Sequence, residues 1–284
     1  MGVIFLVLGG LGLLFRGSVI LRFTAIFRPD EVTRRVTEQQ ISIGRKLFIL
    51  AGFGGLRRDF RRYRGALPPV FMVVSNHQSL ADIAVLPQIF PGHHLRFVAK
   101  KELARGVPYV SLSLRLGRHA VISRTSDYRA GRRILTRLAD LTAEGVCPMV
   151  FPEGRRSGTG EVQQFQSGAF RIILERAPLP VLSVALDGGY RISTLTKLLT
   201  GLPGTCYRAQ PLTLYPPPRG KREILDLLTR IEREIRGQVH RWREAPAAGS
   251  GRGRSELGQR AKKTHSPNCP GMRSSAGNGS SRSC

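Results

Sequence analysis

A chain of 284 residues, 41% of them hydrophobic, can bury one sizeable core. Its 45 Lys and Arg against 19 Asp and Glu leave a formal charge of +26, so the natural partner is anionic: nucleic acid, a phospholipid surface or a phosphorylated small substrate. Four widely spaced cysteines (Cys147, Cys206, Cys269, Cys284) without a C-x-x-C pair speak against a disulfide framework and a zinc site, and fit a reducing compartment.

The first fifteen residues carry no charge, and beyond Arg16 the apolar character resumes at 19–21 and 23–27. A bilayer span takes about 20 apolar residues, so this segment either crosses with Arg16 snorkelling to the surface or lies in the interface. No basic residue precedes it and no small-residue cleavage site follows, so it is expected to stay attached. The arginines after it, among them Arg22, Arg28, Arg34, Arg35 and those from Arg57 to Arg64, place the following domain on the cytoplasmic face of the membrane and attract anionic lipid. Within 31–56, Val32, Val36, Ile43, Leu47 and Leu50 recur at helical spacing. An ordinary core-facing helix and a membrane-surface helix both fit; the apolar N-terminus weights the reading toward lipid.

From residue 70 short apolar runs alternate with helical patterns, the signature of an α/β domain built on a mixed, largely parallel sheet flanked by helices. Expected strands are 70–75, 95–99, 120–123, 149–151, 181–186 and 208–214. Ala130, Ile134, Leu138 and Leu141 share one helical face, as do Ile224, Leu227, Leu228, Ile231 and Ile235. After about Ala245 the composition turns to Gly, Ser, Arg, Pro and Asn, which cannot offset its own ordering entropy. The expected organisation is a membrane-anchoring helical region at 1–65, a catalytic domain at 66–243 and a disordered basic tail at 244–284.

Three clusters carry chemistry. The first expected strand runs into Asn76-His77-Gln78-Ser79-Leu80-Ala81-Asp82. A histidine at a strand end, with a carboxylate one helical turn beyond, suits a general base whose tautomer is fixed by an acid. Ser79-x-x-Asp82 equally fits a capping box, and spacing alone leaves both open. Phe151-Pro152-Glu153-Gly154-Arg155-Arg156-Ser157 follows another strand, and its adjacent guanidiniums suit a phosphate. The third cluster runs from Gly117 to Arg124, where Arg124 closes a short strand; Lys100 and Lys101 are similar single charges. No G-x-S-x-G elbow, P-loop or dinucleotide-binding pattern occurs, which favours direct transfer over an acyl-enzyme, and nothing requires a metal.

His77 four residues ahead of Asp82, then 117–124, then Phe151-Pro152-Glu153-Gly154, then 178–188 together resemble the four blocks of the glycerolipid acyltransferase family, in particular 1-acylglycerol-3-phosphate acyltransferases. The resemblance covers about 70–188. It implies that His77 is the general base, Asp82 its orienting partner, Glu153, Gly154 and Arg156 part of the acceptor site, and Arg124 a contact of the acceptor's phosphate. It further implies a membrane-bound enzyme without a cofactor. Such an enzyme takes a fatty-acyl group from acyl-CoA or acyl carrier protein to a lysophospholipid, giving phosphatidic acid. Nucleic acid is not an expected partner, because base-stacking aromatics are sparse among the basic residues. The chain departs from the family pattern at Arg155 (usually Thr), Ser123 (usually Asp or Asn), Ser183 (usually Pro) and Gln166-Ser167 (often a lysine-bearing pair). Glycerol 3-phosphate or a lyso-aminolipid therefore stays open as acceptor, and a purely charge-driven binding protein stays open as the rival class.

Overall fold

A computed structural model describes residues 2–123 and 128–244, and in it the apolar N-terminus is one continuous helix, α1 (Gly2–Phe27). A 3-10 turn at Pro29–Glu31 ends it; the residue before proline avoids helical geometry, and Arg28 accordingly sits at φ −143°. The chain reverses into α2 (Val32–Phe53). Leu21 of α1 is buried with Val36 and Ile43 of α2 and with Tyr109, whereas Leu8, Leu11, Phe15, Val19, Phe23 and Phe27 are exposed. Residues Val7–Phe27 are long and apolar enough to cross a membrane by length and composition.

α2 corrects one expectation. Val36 and Ile43, part of the stripe weighted toward lipid, are buried, as are Phe48 and Ala51, which join the core under the sheet. The stripe faces protein because that is where its apolar area is removed from water. The large apolar residues that α2 turns outward are Ile49 and Phe53.

The remaining elements are β1 (Arg57–Phe60), β2 (Met72–Ser75), α3 (Ala81–Ile89), β3 (His94–Lys100), α4 (Val110–Leu116), β4 (Ala120–Ile122), α5 (Tyr128–Asp140), β5 (Val146–Val150), α6 (Ser167–Arg176), β6 (Val181–Asp187), α7 (Leu195–Gly201), β7 (Cys206–Tyr215) and α8 (Gly220–Glu244). The strands form one seven-stranded sheet in the order β1-β7-β6-β2-β5-β3-β4, parallel throughout except for the antiparallel β6/β7 pair. This is the mixed, largely parallel architecture the alternating pattern predicts. All four residues of β2 are buried, as a strand covered on both faces requires. Phe71, Val73, Met149 and Leu182 point to the layer of α2 and α3; Met72, Val74, Val150 and Val181 point to the layer of α5, α6 and α8. The unit that contains this sheet, α1 and α2 ends at Glu244.

α8 is amphipathic, with Ile224, Leu227, Leu228, Ile231, Ile235 and Val239 buried. It is also pinned by a carboxylate: Glu234 accepts from Ser183 Oγ at 2.5 Å, from Tyr215 Oη at 3.1 Å and from Thr213 Oγ1. Ser183 Oγ in turn accepts from Thr213 N at 3.1 Å, where the β6/β7 register shifts. The serine standing where proline is usual therefore serves the sheet and α8.

Each border of the sheet is managed. β4 pairs only with Val98–Lys100 of β3, so the earlier part of that edge would be bare. Phe97 N donates instead to His119 Nδ1 at 2.9 Å, and Arg96 Nη1 donates to Leu95 O and to Thr37 Oγ1, both at 2.9 Å. Burial, and then the Arg96 charge, pull the His119 pKa down to about 3, which keeps the ring neutral and able to accept. On the far border, β1 turns Arg57 and Arg58 to solvent.

Between β6 and α7 the chain passes over β7 at Gly188, whose φ is +89° and where a Cβ would lie 2.3 Å from Cys206 O. Gly188→Ala is expected to cost about 1–3 kcal/mol from the backbone conformation alone, with the steric contact added. Urea unfolding should show the loss as a lower midpoint; an unchanged midpoint would contradict this packing.

Candidate active site

The site grows from the carboxyl end of β2, the middle strand. The chain leaves β2 to one side, toward β3, while β5 returns across it to β6, so the crevice at this end is a switch point of the kind where ligands bind in open α/β sheets. Asn76 continues the ladder with its side chain: Nδ2 donates to Leu186 O and Oδ1 accepts from Leu186 N, both at 2.8 Å. The next residue is held from the other side by the loop after β5. His77 N donates to Glu153 Oε1 at 2.8 Å, and His77 O accepts from Ser157 N at 2.8 Å.

With its backbone fixed on both sides, His77 stacks its ring on Phe151 at 4.1 Å and 16° and brings Nδ1 to 2.7 Å from Asp82 Oδ2. An Nδ1–H donated to the carboxylate leaves Nε2 as the basic nitrogen of the ring. The imidazole is 14% exposed and the Asp82 side chain 0%, so the ring reaches the crevice while the carboxylate is sealed beneath it.

Asp82 lies in the first turn of α3, where a negative charge is favoured. The Oδ2 that faces His77 also accepts from Gln78 N at 2.7 Å and Ser79 N at 3.0 Å. Ser79 Oγ accepts from Ala81 N at 3.2 Å. The carboxylate thus gathers the Gln78 and Ser79 amides just ahead of α3 and faces the imidazole, whereas the full capping box is not formed, since Asp82 N donates to Ser79 O at 3.1 Å. Oδ1 accepts from Tyr207 Oη. Burial first, and then the Asp82 charge, raise the Tyr207 pKa well above its ordinary value, so the phenol keeps its proton as a donor.

The acceptor-site residues named from the sequence fall in different places. Glu153, expected to touch the acceptor, is 5% exposed, and its Oε2 is occupied by Gln163 N at 3.1 Å while Oε1 holds His77 N. It braces the site from inside, because a buried carboxylate needs amide donors on both oxygens. Gly154 turns the chain out of β5 at φ +64°. Arg156 is exposed on the loop after β5, next to the Ser157 that bonds His77 O, with Nη1 3.5 Å from Ser193 O, and Arg155 Nη2 donates to Gln163 Oε1 at 2.7 Å. Arg124 lies outside the described residues. Among those described, no group of His, Cys, Asp and Glu is arranged to hold a metal ion.

Burial pushes the Glu153 carboxyl up to about 7. Its unfolded counterpart titrates near 4.5, so between these values the native chain holds the extra proton and stability falls as pH rises. Across that window the decline is expected to be about 2–4 kcal/mol. Glu153→Gln should flatten it, in urea midpoints compared at about pH 5 and about pH 8. The same slope in both proteins would show that another group is responsible.

Residues 65–187 match the family model described as Acyltransferase. This stretch resembles an acyltransferase domain. Human 1-acyl-sn-glycerol-3-phosphate acyltransferase beta is 34% identical over 157 residues, 53% of this chain and 53% of that protein. The 1-acyl-sn-glycerol-3-phosphate acyltransferase of Pseudomonas aeruginosa is 27% identical over 135 residues, 48% of this chain and 51% of that one. The chain therefore spans about half the length of the curated relatives it matches. The crystal structure of the 1-acyl-sn-glycerophosphate (LPA) acyltransferase PlsC from Thermotoga maritima is similar at TM-score 0.65 and 20% identity, over 86% of this chain and 95% of that one, and shows the same fold.

The matched stretch encloses His77, Asp82, Glu153, Gly154 and Arg156, but the site extends beyond it. Tyr207 on β7 supports Asp82 from outside the matched stretch, and no spacing in the sequence singles it out. Asn76 and Gln78 flank the histidine, and adjacency to it is their only mark in the sequence. Gln78 is fully buried and is bonded through Nε2 to Gly160 O (3.1 Å), Leu186 O (3.2 Å) and Asp187 Oδ1 (3.3 Å).

Proposed function

We propose that the chain is a membrane-bound 1-acylglycerol-3-phosphate O-acyltransferase in which His77 is the general base and Asp82 orients it. The observation that carries this reading is the 2.7 Å contact between His77 Nδ1 and Asp82 Oδ2 at the end of the middle strand, one loop away from Arg156. His77 Nε2 takes the proton of the acceptor's free hydroxyl as that oxygen attacks the thioester carbonyl of acyl-CoA or acyl carrier protein. The new C–O ester bond forms, the C–S bond breaks, and the leaving thiolate recovers the proton from the imidazolium. A fixed tautomer and two positioned substrates supply the rate. The transfer invokes no cofactor.

Arg156, with Arg124, holds the acceptor's phosphate; Gly154 gives the loop its turn; Glu153 acts on the acceptor indirectly, by fixing the His77 backbone. The exposed apolar face of α1 anchors the enzyme in phospholipid, with the basic segments after it on the cytoplasmic face. The test is a donor-by-acceptor matrix with purified full-length protein in phospholipid vesicles: acyl-CoA and acyl carrier protein against 1-acylglycerol 3-phosphate, glycerol 3-phosphate and a lyso-aminolipid. Phosphatidic acid formed from the first acceptor is the expected product. Product from another acceptor would reassign the substrate within the same chemistry, and steeply salt-dependent nucleic-acid binding with no transfer would overturn the reading.

A further inference from the structure

The last turn of α8 reaches back to the site through one side chain. Arg243 Nη2 donates to Asp187 Oδ1 at 2.8 Å and to Gly160 O at 2.9 Å, Nη1 donates to Glu161 Oε1 at 2.7 Å, and the guanidinium lies over the Tyr190 ring at 5.2 Å. These partners belong to two separate segments. Gly160 and Glu161 lie on the loop that carries Arg155, Arg156 and the Glu153 brace; Asp187 ends β6 and Tyr190 lies on the turn that follows, where Gly189 packs against Asp82. The fit is close, since a Cβ on Gly160 would stand 2.3 Å from Arg243 Nη2 and 2.5 Å from the Tyr190 ring.

Buried Gln78, the neighbour of His77, meets the same two acceptors: its Nε2 donates to Gly160 O and Asp187 Oδ1, while its Oε1 accepts from Tyr190 N at 3.3 Å. The gap between the two segments is therefore spanned from beneath by Gln78 and from above by Arg243, which is 26% exposed against 8% for Asp187. α8 touches the loop once more, where Glu232 Oε2 accepts from Phe165 N at 3.0 Å. A planar guanidinium with donors on two sides suits such a clip, whereas a lysine offers a single point charge.

We propose that Arg243 is a positioning residue of the acyl-transfer site, which by clipping the Gly160 loop to the Asp187 turn holds Arg156 where the acceptor's phosphate binds. The inference rests on the acyltransferase reading above, and it places a determinant of acceptor affinity 56 residues after Asp187, beyond the matched family stretch.

Full-length Arg243→Ala in phospholipid vesicles, with 1-acylglycerol 3-phosphate as acceptor and acyl-CoA as donor, should raise the acceptor KM by about 3- to 30-fold. Both kcat and the donor KM should stay within about threefold of wild type. Hydrogen exchange gives a readout independent of turnover: the amides of Ser157, Gln163 and Tyr190 should lose protection while those of β3 and α5 keep theirs. Arg243→Lys should fall between the two proteins. Asp187→Asn, which opens the clip from its other side, should show the same pattern, and the double variant should be no worse than either single one. An unchanged acceptor KM, an equal fall in kcat, or unchanged protection at those three amides would overturn the clip. If wild type transfers nothing to 1-acylglycerol 3-phosphate, the substrate reading fails, and the exchange pattern alone still decides for or against the clip.

Discussion

His77→Ala is expected to lower acyl transfer by about 10²- to 10⁴-fold while leaving the chain folded and bound to vesicles. The fold should survive because the substitution removes little that the structure depends on. Asp82 Oδ2 keeps the Gln78 and Ser79 amides, and Oδ1 keeps the Tyr207 hydroxyl, so no buried carboxylate is abandoned. The His77 backbone bonds to Glu153 and Ser157 do not involve the ring. What disappears is the ring nitrogen proposed to take the acceptor's proton. Thiol release and phosphatidic acid formation, followed together in vesicles, measure the loss; activity near that of wild type would refute the assignment of the base.

Asp82→Asn should behave differently, costing both rate and stability. An amide at this position must turn its NH2 toward one set of donors. Either the imidazole and the Gln78 and Ser79 amides lose their acceptor, or the Tyr207 hydroxyl loses its own. A buried donor without a partner makes this worth about 2–4 kcal/mol. The wrong imidazole tautomer should lower kcat by about 10²- to 10⁴-fold. Chemical denaturation and turnover measured on the same preparation separate the two effects. A variant destabilised yet still active would leave Asp82 with only its capping role at the start of α3.

Much of this site is legible in the sequence because its core is local. His77 and Asp82 share one strand-to-helix turn, so spacing suffices to bring them together. The sheet is legible for the related reason that its strands are buried on both faces and read as apolar runs. β1 is missed because Arg57-Arg58-Asp59-Phe60 has no such run; it is a strand through pairing with β7, which a single segment cannot reveal. Tyr207 and Arg243 are missed for the same reason: they reach the site only through the antiparallel return of β7 and the length of α8. Glu153 shows the converse limit. Its motif singles it out, but residue type does not tell a carboxylate that touches a ligand from one that holds a backbone amide, and this one is buried with the His77 and Gln163 amides on its two oxygens.

The treatment of the sheet's two borders bears on how copies of this chain meet. A strand from a second molecule laid along β3 would find Phe97 N and Leu95 O already engaged by His119 and Arg96, and one laid along β1 would bring guanidiniums face to face. Fibril-like accretion, strand upon strand, is therefore discouraged at either side. Whatever clumping the protein shows away from lipid should begin instead at the greasy outer flank of α1, and a detergent micelle that coats this flank should suffice to keep it dispersed.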